Sequence, residues 1–246
     1  ANRISRGGAR APMDLASHRK VPYHRITRIP IKEGSIDGII AVAKTPKFVE
    51  HMKTFKGFIG VEVVADGTSH MITHSRWRDK ESCDGGVAAL GSVLKNFLSE
   101  FLRGPPEAPI VGEQMNYWDS PILAILGVGC LPAAVGNVVD DLLGKRRVAR
   151  RITHFALKPG PESLPAVLAV MNKPSTKKLF GTLQMSECVA FSADAGSFSV
   201  CATYPSMEKL EAATASINEI LKADFGPHLV SPPKPISGPI VWRHTM

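Results

Sequence analysis

Two kinds of apolar spacing follow one another along this chain, and the succession occurs twice. GFIGVEVVAD (57–66) and HMITHSRW (70–77) alternate apolar and polar residues on either side of Gly67, the period-two pattern of two strands joined in a hairpin. Val87, Leu90, Leu94, Phe97, Leu98 and Phe101 then keep a spacing of three and four, which predicts an amphipathic helix. LQMSECVAF (183–191) and SFSVCATY (197–204) repeat the hairpin. Met207, Leu210, Ile217, Ile220 and Leu221 repeat the helix, with Ser206 placed to cap it.

Ahead of each hairpin stands the same phrase. RITRIPIKEG at 25–34 returns as RITHFALKPG at 151–160, an offset of 126. A helical stretch follows each copy, containing Ala41-Val42 or Ala169-Val170, and Pro46 or Pro174 breaks it. Each copy closes with a Pro-rich turn and a short strand. Pro109-Ile110-x-Gly112 and Pro235-Ile236-x-Gly238 keep the same offset, and Trp118 and Trp242 end the strands. Strand, helix, hairpin, helix, strand is βαββαβ, the ferredoxin-like arrangement. The predicted fold class is therefore α+β, two ferredoxin-like repeats packed as an internal pseudo-dimer, because a four-stranded sheet with helices on one face needs cover on the other. The expected boundaries are a basic extended arm at 1–22, repeat one at 23–118, an apolar then basic linker at 119–150 and repeat two at 151–246.

The stretch GFIGVEVVADGTSHMITHSRWRDKES resembles the central hairpin of the antibiotic-biosynthesis-monooxygenase-like, or dimeric α/β-barrel, family. The shared pattern is Gly57-Phe58-x-Gly60 opening one strand and Trp77 ending the next, followed by polar and acidic residues. The resemblance implies two ferredoxin-like sheets packed face to face, as a homodimer or as a tandem pseudo-dimer. It also implies a range of activities, among them cofactor-independent oxygenation of aromatic polyketides and haem degradation. The haem-degrading branch uses an Asn on its first strand and a Trp and a His on its second helix. Those places fall near Thr27, Gly86 and Asn96 here, and none matches.

Composition narrows the classes. Hydrophobic content of 44% with 21% charged residues is that of a folded chain and excludes wholesale disorder. A net charge of +8 suggests nucleic acid until it is located. Residues 1–28 carry seven cations against one carboxylate, and KRRVARR (145–151) carries five more, so the remainder is slightly acidic. That places the charge in a leader and a joint and makes nucleic acid an unlikely partner. The leader is Arg- and Ser-containing and has no apolar core, which points to an organelle interior, chloroplast or mitochondrion, after transit-peptide removal. Four cysteines without C-x-x-C or His-paired spacing predict neither a zinc site nor a disulfide framework.

Candidate chemistry is sparse. His70, His74 and Arg76 share one strand face, but His70 and His74 stand about 13 Å apart at roughly 3.3 Å per residue, too far for one ion. His74 would need a partner in the space between the sheets, and Glu62 on the neighbouring strand is the charged residue available. His74, Arg76, Glu62 and Trp77 are thus the weak catalytic candidates. Lys56-Gly57-Phe58 begins like an RNA-recognition signature, but Gly60 stands where the next ring belongs. The segment 120–139 has no charge, and its flanks resemble those of a membrane span, which makes it a partner-facing or membrane-associated surface. Its candidate contacts are Ile122, Leu123, Leu126 and Leu131, followed by Lys145, Arg146 and Arg147. The leading expectation is a non-catalytic accessory subunit of an organellar protein complex, without a cofactor. The alternative is a monooxygenase, cofactor-independent or haem-linked, using the cavity between the two sheets.

Overall fold

The computed structural model describes residues 21–119 and 148–246. In the first half, β1 (Tyr23–Pro30) leads into α1 (Ile36–Ala43) and α2 (Pro46–Lys53), then the hairpin β2 (Phe58–Asp66) and β3 (His70–Trp77), α3 (Lys80–Val93) and β4 (Ile110–Asp119). The second half runs β5 (Ala149–Ala156), α4 (Ser163–Asn172), α5 (Pro174–Thr182), β6 (Glu187–Asp194), β7 (Ser197–Tyr204), α6 (Met207–Ile220) and β8 (Ile236–Thr245). The predicted helix breaks fall at Pro46 and Pro174, each in the first turn of the second helix of its pair, where a missing N–H leaves no bond unmade. Asp79 caps α3 by accepting from Ser82 N at 3.0 Å, and Ser206 caps α6 by accepting from Lys209 N at 3.1 Å. Both helices end in a five-residue π turn, Leu94–Leu98 and Leu221–Phe225.

The strands close into one barrel in the order β1-β3-β2-β8-β5-β7-β6-β4, with β4 returning to β1. The expected face-to-face packing of two sheets is therefore also an edge-to-edge union. β2 pairs with β8 and β4 with β6, all antiparallel, so the outer strands of each half satisfy their hydrogen bonds on the other. The conserved spacing of the two Pro-Ile-x-Gly phrases has its physical reason at these seams. A Cβ on Gly112 would lie 2.4 Å from the Ser192 backbone carbon, and one on Gly238 would lie 1.8 Å from the Ala65 carbonyl oxygen.

Alternation along β1 and β5 sorts the Arg-Ile-Thr phrase. Ile26 and Ile152 point into the barrel with Val64, Ile72, Val189, Phe191 and Cys201. Two larger cores lie outside the barrel wall, one under the helices of each half. The terminal tryptophans cross over. Trp118 of β4 packs in the second half's core, edge-on to Phe180 at 5.7 Å, and Trp242 of β8 packs in the first half's core, edge-on to Phe48 at 5.8 Å. Among the described residues, no helix is long and apolar enough to cross a membrane.

Two features differ from the sequence reading. β6 starts at Glu187 rather than at 183, because Gln184 turns with a φ of 56° and Met185 N donates back to Phe180 O. Arg25, Arg28, Arg150 and Arg151, counted above with the leader and the joint, belong to β1 and β5. Arg25, Arg150 and Arg151 are buried.

Candidate functional site

Inside the barrel a polar cluster ties the halves together. The Arg150 guanidinium, 2% exposed, stands 2.5 Å from Glu62 Oε2 across the barrel and 3.2 Å from Glu187 Oε2, and it donates to Thr203 Oγ1 at 3.0 Å. Arg243 Nε donates to Glu62 Oε1 at 2.7 Å. Burial pushes the Glu62 carboxyl up, but Arg150 and Arg243 outweigh it and hold it below the usual carboxylate range.

The hydrogen bonds fix the tautomers of two buried histidines. His24 Nε2 donates to Gln114 Oε1 at 3.1 Å, which leaves His24 Nδ1 as the acceptor for His74 Nε2 at 2.9 Å. His74 Nδ1 then accepts from Arg150 Nη1. All three bonds run in one direction, from Arg150 to Gln114, and the rings stack with Phe191. Burial, with Arg76 adding to it, lowers His24 to about 4 even though the Gln114 bond favours its cation. Burial first and Arg150 second push His74 well below the ordinary histidine range. Both imidazoles are neutral at pH 7.

Two cavities of about 70 Å³ each lie between each sheet and its own helices, and a larger cleft of about 740 Å³ runs between α6 with its π turn and residues 229–235. The first is walled by apolar rings and chains, among them Phe48, Phe58, Trp77, Leu94 and Trp242, and its floor carries Arg25, Thr73 and Ser75. Trp77 Nε1 donates to Ser75 Oγ at 2.9 Å, holding the indole in the wall. Arg25 is 7% exposed, and its Nε has no hydrogen-bond partner. Its neighbour is the Cys83 thiol, which burial pushes up and so keeps protonated. The second cavity carries Arg151 at the matching place, but there Nη2 donates to Leu210 O at 3.2 Å and to Thr214 Oγ1. No carboxylate or imidazole lines the first cavity among the described residues.

Haem does not fit this arrangement. Neither cavity presents an imidazole, and the thiol of Cys188 in the second is pushed by burial up to about 12, which leaves it protonated rather than a thiolate ligand. The volume of about 70 Å³ is well below the several hundred Å³ of a typical site for a drug-sized ligand. Among the described residues no three His, Cys, Asp or Glu side chains group as metal ligands. The place of the missing helical Trp has its own explanation: a Cβ on Gly86 would lie 2.4 Å from Trp77 Cζ2, so the strand indole occupies that space.

The candidates from sequence divide between the two faces of β2 and β3. Glu62 and His74 are cross-strand neighbours in the barrel, as anticipated, but the groups that bond His74 are His24 and Arg150. Arg76 is opposite His24 in the same interior, and Trp77 faces the first cavity. His70 lies at the far end of β3 beside Ser69. Sequence reasoning passed over Arg25, Arg150 and Trp242. The signal for Arg25 was Arg-Ile-Thr itself, which puts an arginine at matching strand positions of both copies, Arg25 and Arg151, whereas Arg150 corresponds to His24 and left no such trace. Ile122, Leu123, Leu126, Leu131, Lys145, Arg146 and Arg147 lie outside the described residues, as does the leader through residue 20.

No family model matches the sequence, and no curated protein does. Solved structures do match. A protein assigned as a monooxygenase from Fusobacterium nucleatum is 9% identical, with a TM-score of 0.59 over 92% of this chain and 94% of that one. An anthrone oxidase-like protein is 10% identical, with a TM-score of 0.56 over 94% of each chain. A protein assigned as a chlorite dismutase is 13% identical, with a TM-score of 0.53 over 90% of this chain and 95% of that one. At such identities the likeness shows the fold, a dimeric α/β barrel completed here within one chain. The expectation of a non-catalytic accessory subunit is corrected by these comparisons, since the structures alike over the whole chain carry the names of enzymes, and the monooxygenase alternative is the reading they favour. Among the described residues the barrel interior holds the polar cluster and its apolar neighbours, and the first cavity lies on the helix side of the sheet.

Proposed function

We propose that the chain is a monooxygenase whose substrate sits in the first cavity, and that its two βαββαβ halves form an internal pseudo-dimer in which Trp242 of the second half completes the site of the first. The observation that carries the reading is a buried guanidinium, Arg25, on the floor of a cavity whose other lining is apolar except for Thr73, Ser75 and the Trp indole N–H groups. In such a site a fixed cation stabilises negative charge on a bound carbon acid far better than water would, because the surrounding dielectric is low and the donor needs no reorganisation.

The chemistry that this environment suits balances simply. An activated methylene loses a proton, its carbanion transfers an electron to dioxygen, and the radical pair joins as a peroxide that eliminates water. The sum is CH₂ + O₂ → C=O + H₂O. Arg25 would hold the oxygen of the enolate, Trp77 and Trp242 would flank its ring, and the apolar wall would keep water from the intermediate. The resting cavity, about 70 Å³, is smaller than the 150 Å³ known to admit benzene, so binding widens it. Met52 and Leu94 line it at the α2 and π-turn end, and a methionine yields with little strain.

Dioxygen uptake tests the reading. With cyclohexane-1,3-dione as a single-ring probe and anthrone as a larger one, the protein should consume oxygen above the rate of the probe alone. Arg25→Met should lower that rate about 100-fold or more, the scale of losing one donor to a developing oxyanion. No uptake above the uncatalysed rate with either probe would remove the proposal.

A further inference from the structure

The first cavity holds a cation and no base, and its counterpart in the second half shows how such a cation is otherwise satisfied. The two long helices correspond residue for residue at an offset of 127, from the caps Asp79 and Ser206 through helices of equal length to the π turns Leu94–Leu98 and Leu221–Phe225. Thr214, which receives a hydrogen bond from Arg151, therefore corresponds to Val87, which has no hydroxyl to offer. Arg25 and Arg151 are both buried, neither has a carboxylate partner among the described residues, and the Nε of each has no hydrogen-bond partner, but Arg151 donates to a carbonyl and a hydroxyl where the polar neighbour of Arg25 is the Cys83 thiol, a weak acceptor. A guanidinium taken out of water without a counter-ion is unfavourable by several kcal/mol. A ligand bearing the opposite charge would relieve that cost, and a neutral one of the same shape would not.

We propose that the first cavity takes its ligand as a monoanion, a single-ring enolate or phenolate that arrives already ionised, with its oxygen on Arg25, while the second cavity, whose Arg151 already donates to a carbonyl and a hydroxyl, has a weaker preference. The inference rests on the reading of the first cavity as the substrate site and names the charge state that site selects. An already ionised substrate needs no base in the cavity, which accounts for the absence of a carboxylate or imidazole from its lining.

4-Nitrophenol is a suitable probe, because its phenolate absorbs in the visible and its ionisation can be followed while bound. With protein in excess, the ionisation midpoint of the bound probe should fall by about one unit or more, the effect of an opposite charge at close range. Arg25→Met should abolish that shift, Arg25→Lys should keep most of it, and Arg151→Met should leave it intact. Val87→Thr gives Arg25 the hydroxyl that Arg151 has, and it should reduce the shift without loss of thermal stability. A bound probe with an unshifted midpoint, or a shift that survives in folded Arg25→Met, would overturn the anion proposal and leave the cavity reading standing. If binding neither quenches tryptophan fluorescence nor changes the probe spectrum, the cavity reading itself falls, and this one with it.

Discussion

His24 and His74 are neutral because the barrel interior leaves their cations no water and sets Arg76 and Arg150 beside them. Their folded pKa values lie below the unfolded value, so the unfolded chain binds more protons in weak acid. The stability they contribute is complete above about pH 6.5 and is lost as the pH falls toward the folded value, about 4 for His24. His24 alone accounts for about 2 kcal/mol by pH 5 and about 3 kcal/mol at pH 4 and below. Glu62 acts in the same direction lower down, since its carboxylate is held below the usual range and must be protonated in acid. Urea midpoints measured from pH 7.5 to 5 should fall steadily, and His24→Gln should make the decline shallower by about one proton. An unchanged slope in that variant would mean that His24 is not neutral in the fold. Of this cluster His74, Arg76 and Glu62 were legible in sequence, since alternation put His74 and Arg76 on one strand face and Glu62 on the neighbouring strand, while His24, Gln114, Glu187 and Arg243 were not. Arg150 was not, because KRRVARR reads as one block of solvated charge, and only the position where β5 begins separates the buried arginines from the rest.

At the scale of elements, period-two and period-3.6 patterns located the hairpins and the two long helices, since each element buries one face, although β6 begins four residues later than the pattern indicated and α3 begins ahead of its apolar stripe, at Lys80. What they could not give was how strands of different halves meet, because pairing partners leave no periodic trace. Gly112 and Gly238 carry that information in a form readable only with the seams in view. Gly238→Ala should cost about 2 kcal/mol or more, since its Cβ meets backbone rather than a flexible side chain. A thermal melt against wild type measures it, with Gly91→Ala, where a Cβ meets nothing within 4 Å, as the comparison that should be neutral or stabilising. Equal effects at both positions would show that the β2–β8 seam tolerates separation. The π turns are a second case: a spacing of three and four predicts a continuous helix through Phe101, whereas the hydrogen bonding widens at Leu94–Leu98, beside the first cavity.

Across the whole molecule the halves exchange their last strands and, with them, their tryptophans. Each core is completed by a residue from the other half, so neither half is self-sufficient. Residues 149–246 expressed alone would lose Trp118 from their core and expose the edges of β6 and β8. That fragment should be insoluble or should pair with itself, and size exclusion with a heteronuclear correlation spectrum would decide; a well-folded monomer would contradict the account. The matching order of elements in the two halves was visible in Arg-Ile-Thr and Pro-Ile-x-Gly, but the exchange was not, because a terminal Trp looks the same whichever core it enters.

Closure of the barrel also settles how this protein can meet others. Among the described residues each of the eight strands has a neighbour on both sides over at least part of its length, so little unpaired strand edge is left to recruit an incoming strand. Recognition by sheet extension therefore has little edge to use in this barrel. What the barrel offers a partner instead is helix faces and loops, where a side chain can change without disturbing the strand register beneath.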